Sequence, residues 1–423
     1  MDKKIIKLLS IIIISFILIV FNAFEIYNPF SNGIIALITL CLCIYNMIVS
    51  KNNIINFILH LQLFYYNYSI IFSRYLNIVN EFTEFYINTN DKVLGIGITC
   101  VCIFELIMAI FNKKDCTIND DNMYAEKNNP IIGIFLLGCL VYIFLFAFDW
   151  SGFGQRGATS TLYEYSGILF ILGLFYLKDH PLKIIYKLLI IAMILQGIVY
   201  GERVASLQFI FILLFYFYKD KIKIKHILIL TIIGIVLMSI VGEYRSNYYF
   251  NYLDISSYFK SINSRLLTFD GADLGYYCSL TFIMVANKVS NLIRLDMFGK
   301  FLSSIVTGAN SNNVLPTYTY NYYQHWYGGY YPLYFYFYGG IPLVIISALG
   351  WCNYIYLCLN FKLKKHKRYF CISGLYIVCI TARWYMYSPV NAFRPLLLFS
   401  ILYFMFEMFN KLRKDNVIQQ RKV

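Results

Sequence analysis

Charge and proline are scarce in this chain. Of 423 residues only 14% are charged, and eight are proline. Soluble domains carry about 25% charged residues. With 59% hydrophobic residues and a mean hydropathy of +0.61, the composition excludes an ordinary soluble domain. The eleven cysteines contain no CxxC pair and fall mostly in apolar stretches, Cys278 being the one placed outside the membrane on the outer side. That pattern supports neither a disulfide framework nor a zinc site. No GxSxG elbow, P-loop, HExxH or dinucleotide fingerprint stands in a fitting context. The basic residues follow topology, so nucleic-acid recognition is not expected.

Long apolar runs are abundant. A helix needs about 20 apolar residues to cross the hydrocarbon. Candidate spans cover residues 5–24, 33–50, 54–72, 93–111, 130–148, 162–177, 184–200, 204–218, 226–242, 333–359, 369–387 and 392–410. The expected fold is therefore an all-α integral membrane protein of about twelve transmembrane helices with both termini on one side. Three consecutive blocks follow: spans over 1–242, a large polar segment over 243–331 that is partly helical, and further spans with a tail over 332–423. The start of the chain resembles a signal peptide, with Lys3, Lys4 and Lys7 before an apolar run. No small-x-small cleavage site follows, so a retained signal anchor is expected.

Lysine and arginine placement orients the spans. The side holding the termini carries 24 basic and 10 acidic residues, and the other side 12 and 12. The surplus of 14 on the terminal side equals the formal net charge of +14. That side is expected to be cytoplasmic. The two faces also differ in kind. Eight of the eleven arginines fall on the outer side: Arg74, Arg156, Arg203, Arg245, Arg265, Arg294, Arg383 and Arg394. Lysine suffices as a topogenic point charge, whereas the planar arginine fork suits carboxylate or phosphate. The outer face therefore points to anion recognition, with lipid phosphates and loop capping as the simpler use of the same residues.

Three outer segments hold most of this chemistry: residues 149–165, residues 243–331, and the turn 388–395 with Arg383 and Arg394 at its edges. Gly201-Glu202-Arg203 sits at a hairpin turn between two apolar segments. Arg203 opens a helix at membrane depth, where an ionisable group is a functional candidate or else snorkels to headgroups. His325-Trp326-Tyr327-Gly328-Gly329-Tyr330-Tyr331-Pro332 leads into a glycine-broken span. Its rings suit the apolar faces of sugars, and they equally suit an interfacial aromatic belt. His325 is a candidate general base or a hydrogen-bonding group. Glu202, Glu243 and Asp270 are the acidic candidates. Asp270 and Asp273 form a lone DxxD, too little for a metal site. Asn56 and His60 within the third span read as interhelical glue.

About twelve spans, a large late outer segment, outer arginines, Gly201-Glu202-Arg203 opening a helix, and the run YYPLYFYFYGGIPLVIISALG over 330–350 together resemble the bacterial O-antigen polymerases, the Wzy-type oligosaccharide repeat-unit polymerases. The likeness covers the chain as architecture, and its motifs are short. A His-Asn pair in the related ligases has no counterpart here, because Trp326 follows His325. The resemblance implies a membrane glycosyltransferase acting at the periplasmic face on glycans linked to undecaprenyl pyrophosphate. Its partners would be those lipid-linked oligosaccharides, membrane lipids and, as a further candidate, a chain-length regulator. Neither a nucleotide, a metal nor a redox cofactor is expected. Under that reading Arg203, Arg245, Arg265, Arg383 and Arg394 hold pyrophosphate, and Trp326, Tyr327 and Tyr330 contact sugar. Glu202, Glu243, Asp270 and His325 are the candidates for accepting the hydroxyl proton. An O-antigen ligase shares substrate and topology. A lipid-linked oligosaccharide flippase would show short loops and internal repeats, and an acyltransferase a stronger intramembrane histidine site than His60.

Overall fold

The computed structural model describes residues 3–72, 90–112, 129–150, 160–177, 180–200, 202–218, 221–246, 270–309, 314–325, 328–360 and 367–420. For 3–8, 238–246, 270–274, 360, 367 and 413–420 it describes the backbone only. Arg265, Trp326 and Tyr327 therefore lie outside the described residues, as do Arg74, Arg156 and Gly201. The side chains of Glu243, Arg245 and Asp270 lie outside them as well.

The described residues are helical, with no β-strand among them. In chain order the helices are α1 (Lys3–Ala23), α2 (Pro29–Val49), α3 (Ile54–Phe72), α4 (Asp91–Phe111), α5 (Pro130–Phe146), α6 (Thr161–Tyr176), α7 (Lys183–Val199) and α8 (Arg203–Leu213). They continue as α9 (Ile224–Ser246), α10 (Asp270–Ala286), α11 (Asn291–Thr307), α12 (Leu315–Tyr320), α13 (Tyr331–Asn360), α14 (Lys367–Cys379) and α15 (Val390–Gln420). Each of the twelve apolar stretches in the sequence forms helix. Four helical segments are long and apolar enough to cross a membrane: Pro29–Asn52, Asp91–Phe111, Tyr331–Leu359 and Val390–Leu412. Seven shorter apolar helices accompany them. The fold is all-α, and these helices mark it as membrane-embedded.

Local sequence sets the helix ends. Asn28 caps α2: its side-chain oxygen accepts from the Phe30 and Ser31 amides at 3.0 and 2.9 Å, and Ser31 Oγ accepts the Asn28 amide in return. Pro29 occupies the first turn, where a missing N–H costs nothing. Ser160 and Ser290 cap α6 and α11 with one bond each, their hydroxyls accepting from the Tyr163 and Ile293 amides.

Packing groups the chain into two compact units, each assembled from non-consecutive segments. Unit 1 comprises Met1–Thr117, Ser264–Tyr356 and Thr381–Ala392. In it α2 and α3 pack on α4, and α10 packs on both α3 and α4. The polar block of the sequence thus contributes a helix to this core: Tyr276, Cys278, Leu280, Phe282 and Ile283 of α10 are all buried. Unit 2 comprises Ile118–Asn263, Leu357–Ile380 and Phe393–Val423. There α5 packs on α6, and α7 and α8 form an antiparallel hairpin. Tyr186 Oη of α7 donates to the Gly133 carbonyl of α5 at 2.7 Å.

Helix α13 is broken. Gly339 and Gly340 depart from helical geometry, and Gly340 has φ +67°, which favours glycine. Pro342 follows and cannot donate to the turn before it. The first part therefore ends with carbonyls that lack helical partners. Arg294 of α11 supplies them: its Nε donates to Phe337 O at 2.5 Å and its Nη2 to Tyr336 O at 2.9 Å. A cation at the negative end of a helix fits the helix dipole as well.

Candidate functional site

In unit 2 the sequence candidates gather at one end. Arg203 is the first residue of α8, and Glu202 occupies the cap position without using its side chain to cap. The turn is held from inside. The Glu202 amide donates to Gly197 O at 2.7 Å, and Ser206 Oγ donates to Glu202 O at 3.0 Å. The Glu202 carboxylate is therefore not consumed in building the hairpin. Helices α6 and α8 run in the same direction, because short connections make α7 antiparallel to each. Gln208 of α8 abuts Gly167 of α6, which has no Cβ to keep it away. Arg203 lies five residues earlier, about 7.5 Å along the axis, and so is level with residue 162 at the start of α6. Arg394, in the second turn of α15, lies over the Tyr165 ring at 6.0 Å. Two arginines thus stand at the same end as the N-termini of α6 and α8. Helix N-termini carry unsatisfied N–H groups and a partial positive charge, so this end is suited to an anion.

In unit 1 three elements meet around Tyr330. The segment 328–331 runs against a π-helical turn, Arg383–Tyr387, an irregularity frequent at functional sites. The Gly329 amide donates to Met386 O at 2.6 Å. Gly328 has φ +109°, and a Cβ there would come within 2.8 Å of Met386 O. Tyr330 is fully buried: its ring stacks on Tyr385 at 5.7 Å, its hydroxyl donates to Tyr66 O at 2.5 Å, and its amide donates to Ser279 Oγ at 2.7 Å. The ring offers no face to a sugar in this structure; its neighbours use it for packing. Arg383 opens the π turn, and its carbonyl accepts from the Ser388 amide at 3.1 Å.

His325 is buried among the rings of Tyr277, Phe282 and Tyr320. Its Nε2 lies 2.8 Å from Thr319 Oγ1 and its Nδ1 3.4 Å from Cys278 Sγ. The Thr319 hydroxyl also lies within reach of the Leu315 and Pro316 carbonyls, at 3.2 and 3.1 Å. Both ring nitrogens thus have a hydroxyl or thiol partner inside the protein. Of the two roles the sequence allows, this geometry is that of an internal hydrogen-bonding group. Burial pulls its pKa down to about 4. Below the ordinary value of about 6.5 the unfolded chain takes up a proton that the folded chain refuses, so this residue lowers stability as pH falls from about 6.5 to about 4. The expected loss is up to about 3 kcal/mol. Thermal unfolding in detergent across that window should fall more steeply for the wild type than for His325→Gln; equal slopes would place the acid sensitivity elsewhere.

One ionisable group escaped the sequence reading. Glu105 is buried within α4. Its Oε2 accepts from Asn46 Nδ2 of α2 at 3.0 Å and its Oε1 from Asn67 Nδ2 of α3 at 3.1 Å. Tyr385 of the π turn donates to Asn67 Oδ1. From Asn46 the polar chain continues: Asn112 Nδ2 donates to the Asn46 carbonyl at 3.1 Å, and Asn56 Nδ2 donates to Asn112 Oδ1 at 3.2 Å. His60 Nε2 pairs with Tyr356 Oη at 2.7 Å. The expectation that Asn56 and His60 act as glue between helices describes this geometry. No basic side chain pairs with Glu105 among the described residues. The signal was legible, since Glu105 is the single acid in the stretch 93–111.

No family model, no curated protein and no solved structure matches this chain.

Proposed function

We propose that the chain is an oligosaccharide repeat-unit polymerase of the O-antigen type, working at the outer face of a bacterial inner membrane. The observation that carries this reading is the end of unit 2, where Arg203 and Arg394 stand beside two helix N-termini with Glu202 next to Arg203. That is an arrangement for a phosphorylated leaving group with a carboxylate within reach. In the reaction, a hydroxyl on the terminal sugar of a lipid-linked repeat unit attacks the anomeric carbon of the growing glycan. The new glycosidic C–O bond forms as the bond from that carbon to pyrophosphate breaks, and undecaprenyl pyrophosphate departs with the electron pair. The hydroxyl proton passes to a carboxylate, for which Glu202 is the favoured candidate among Glu202, Glu243, Asp270 and His325. Arginines and helix N-termini act on charge that grows during bond breaking, where fixed donors accelerate most. The activated donor supplies the driving force.

Deleting the gene tests the reading directly. The expected gel pattern is lipopolysaccharide carrying a single repeat unit on its core. Complete loss of O-antigen would favour a ligase or flippase instead, and an unaltered ladder would reject polymerisation.

A further inference from the structure

Helix α11 carries three faces. Met297, Phe301 and Ser304 are buried, with Phe301 against Phe335 at 5.8 Å and Tyr338 at 5.5 Å. A polar edge holds Asp296 and Lys300, ion-paired at 2.8 Å, with Ser303 beyond them. The third face is apolar and bare: Leu292, Leu295, Leu302 and Val306 are exposed by 79%, 64%, 49% and 73%. Their spacing, alternately three and four residues with Gly299 between, places them in one stripe. An exposed apolar stripe of this kind needs an occupant.

The break in α13 gives the depth at which α11 lies. From Asn360, which precedes the basic tract over 362–368 in sequence, the helix runs back without interruption to residue 341. About 20 residues at 1.5 Å each span about 30 Å, one hydrocarbon thickness. The Gly339–Gly340 break thus falls at the far boundary of the hydrocarbon. Residues 335–338, on which α11 packs, lie next to it, and Arg294 ties α11 to Tyr336 and Phe337 there. Crossing the bilayer does not suit α11, since its first three turns carry Arg294, Asp296 and Lys300. Just past the break the outward residues of α13 are again apolar, Ile345 at 39% and Ile346 at 63% exposure.

We infer that α11 is an interfacial helix whose Leu292–Leu295–Leu302–Val306 stripe is seated in the lipid at the level of the helix break, with the Asp296–Lys300 edge toward water. The amphipathic pattern, the depth and the adjoining lipid-type surface share one occupant chemistry, a lipid leaflet. This inference stands independently of the glycan reading.

Full-length protein in phosphatidylcholine vesicles, brominated at acyl carbons 6,7 or 11,12, provides the test. Leu295→Trp adds an indole on the stripe and Asp296→Trp one on the polar edge, each compared with the native four tryptophans as background. The expected result is quenching of the added Leu295→Trp emission at least about twofold stronger than that of Asp296→Trp, and stronger with shallow than with deep bromines. Leu302→Trp repeats the measurement should Leu295→Trp fail to fold. Equal quenching at the two positions overturns the inference, whether or not cross-linking shows a second copy on the stripe. Stronger quenching by the deep bromines also overturns it, because α11 would then lie within the hydrocarbon.

Discussion

Arg203→Ala is expected to reduce glycan chain elongation by about 10²- to 10³-fold, the loss that follows removal of one preorganised donor from a developing oxyanion. The effect should be large because Arg203 sits at the first residue of α8, its position fixed by a turn whose backbone bonds are internal to Gly197, Glu202 and Ser206. The backbone that carries this guanidinium is thus set before substrate arrives. Arg203→Lys keeps the charge but loses the planar fork, so it should retain only part of the activity. Arg394→Ala removes the guanidinium over Tyr165, and should also shorten the chains. Lipopolysaccharide ladders from cells with matched protein levels measure all three. Full-length ladders from Arg203→Ala would remove this residue from pyrophosphate binding and with it the observation on which the functional reading stands.

Glu105→Leu is expected to lower stability by about 2–4 kcal/mol. The individual bonds are not the reason: hydrogen bonds between membrane helices contribute only about 0.6 kcal/mol each on average. The cost comes from stranding. Asn67 would keep a buried N–H without its acceptor, at about 1–3 kcal/mol, and Asn46 would lose its carboxylate partner while keeping the Glu105 carbonyl, at the lower end of that range. Glu105→Gln preserves shape and one acceptor, and should cost about 1 kcal/mol. The order Leu below Gln below wild type in thermal unfolding checks the assignment of Glu105 as the tie between α2, α3 and α4. Identical melting of Leu and Gln variants would show that the asparagines find other partners.

Much of the fold was legible without coordinates. Each apolar stretch became helix because a backbone in a membrane must satisfy its own polar groups, and helix does so within one segment. The break in α13 was equally visible, since Gly339, Gly340 and Pro342 have no place in an uninterrupted helix. Composition likewise put the chain in a membrane, and lysine placement gave it an expected orientation.

The candidate site divides differently. Arg203 and Glu202 could be named from their position at a hairpin turn, a local feature. Their placement at the same end as Arg394 could not, because it depends on which helices lie beside α6. Tyr330 reads as an exposed aromatic in a polar block, yet its ring is stacked inside unit 1. Sequence shows that a ring is apolar with a polar tip; only packing decides whether its face meets a ligand, lipid or another ring. His325 carries the same lesson: its titration range is local chemistry, while burial against Thr319 and Cys278 decides its protonation. Arg294 looks like one outer arginine among eight, until the helix it caps is seen to end beside it. The chain by itself determined its solvent, its helices and the places where helix fails, all matters of short-range pattern. Which side chains meet was decided by tertiary structure, because residues such as Glu105 and Asn46, or Arg294 and Phe337, stand far apart in sequence and are joined only by helix packing.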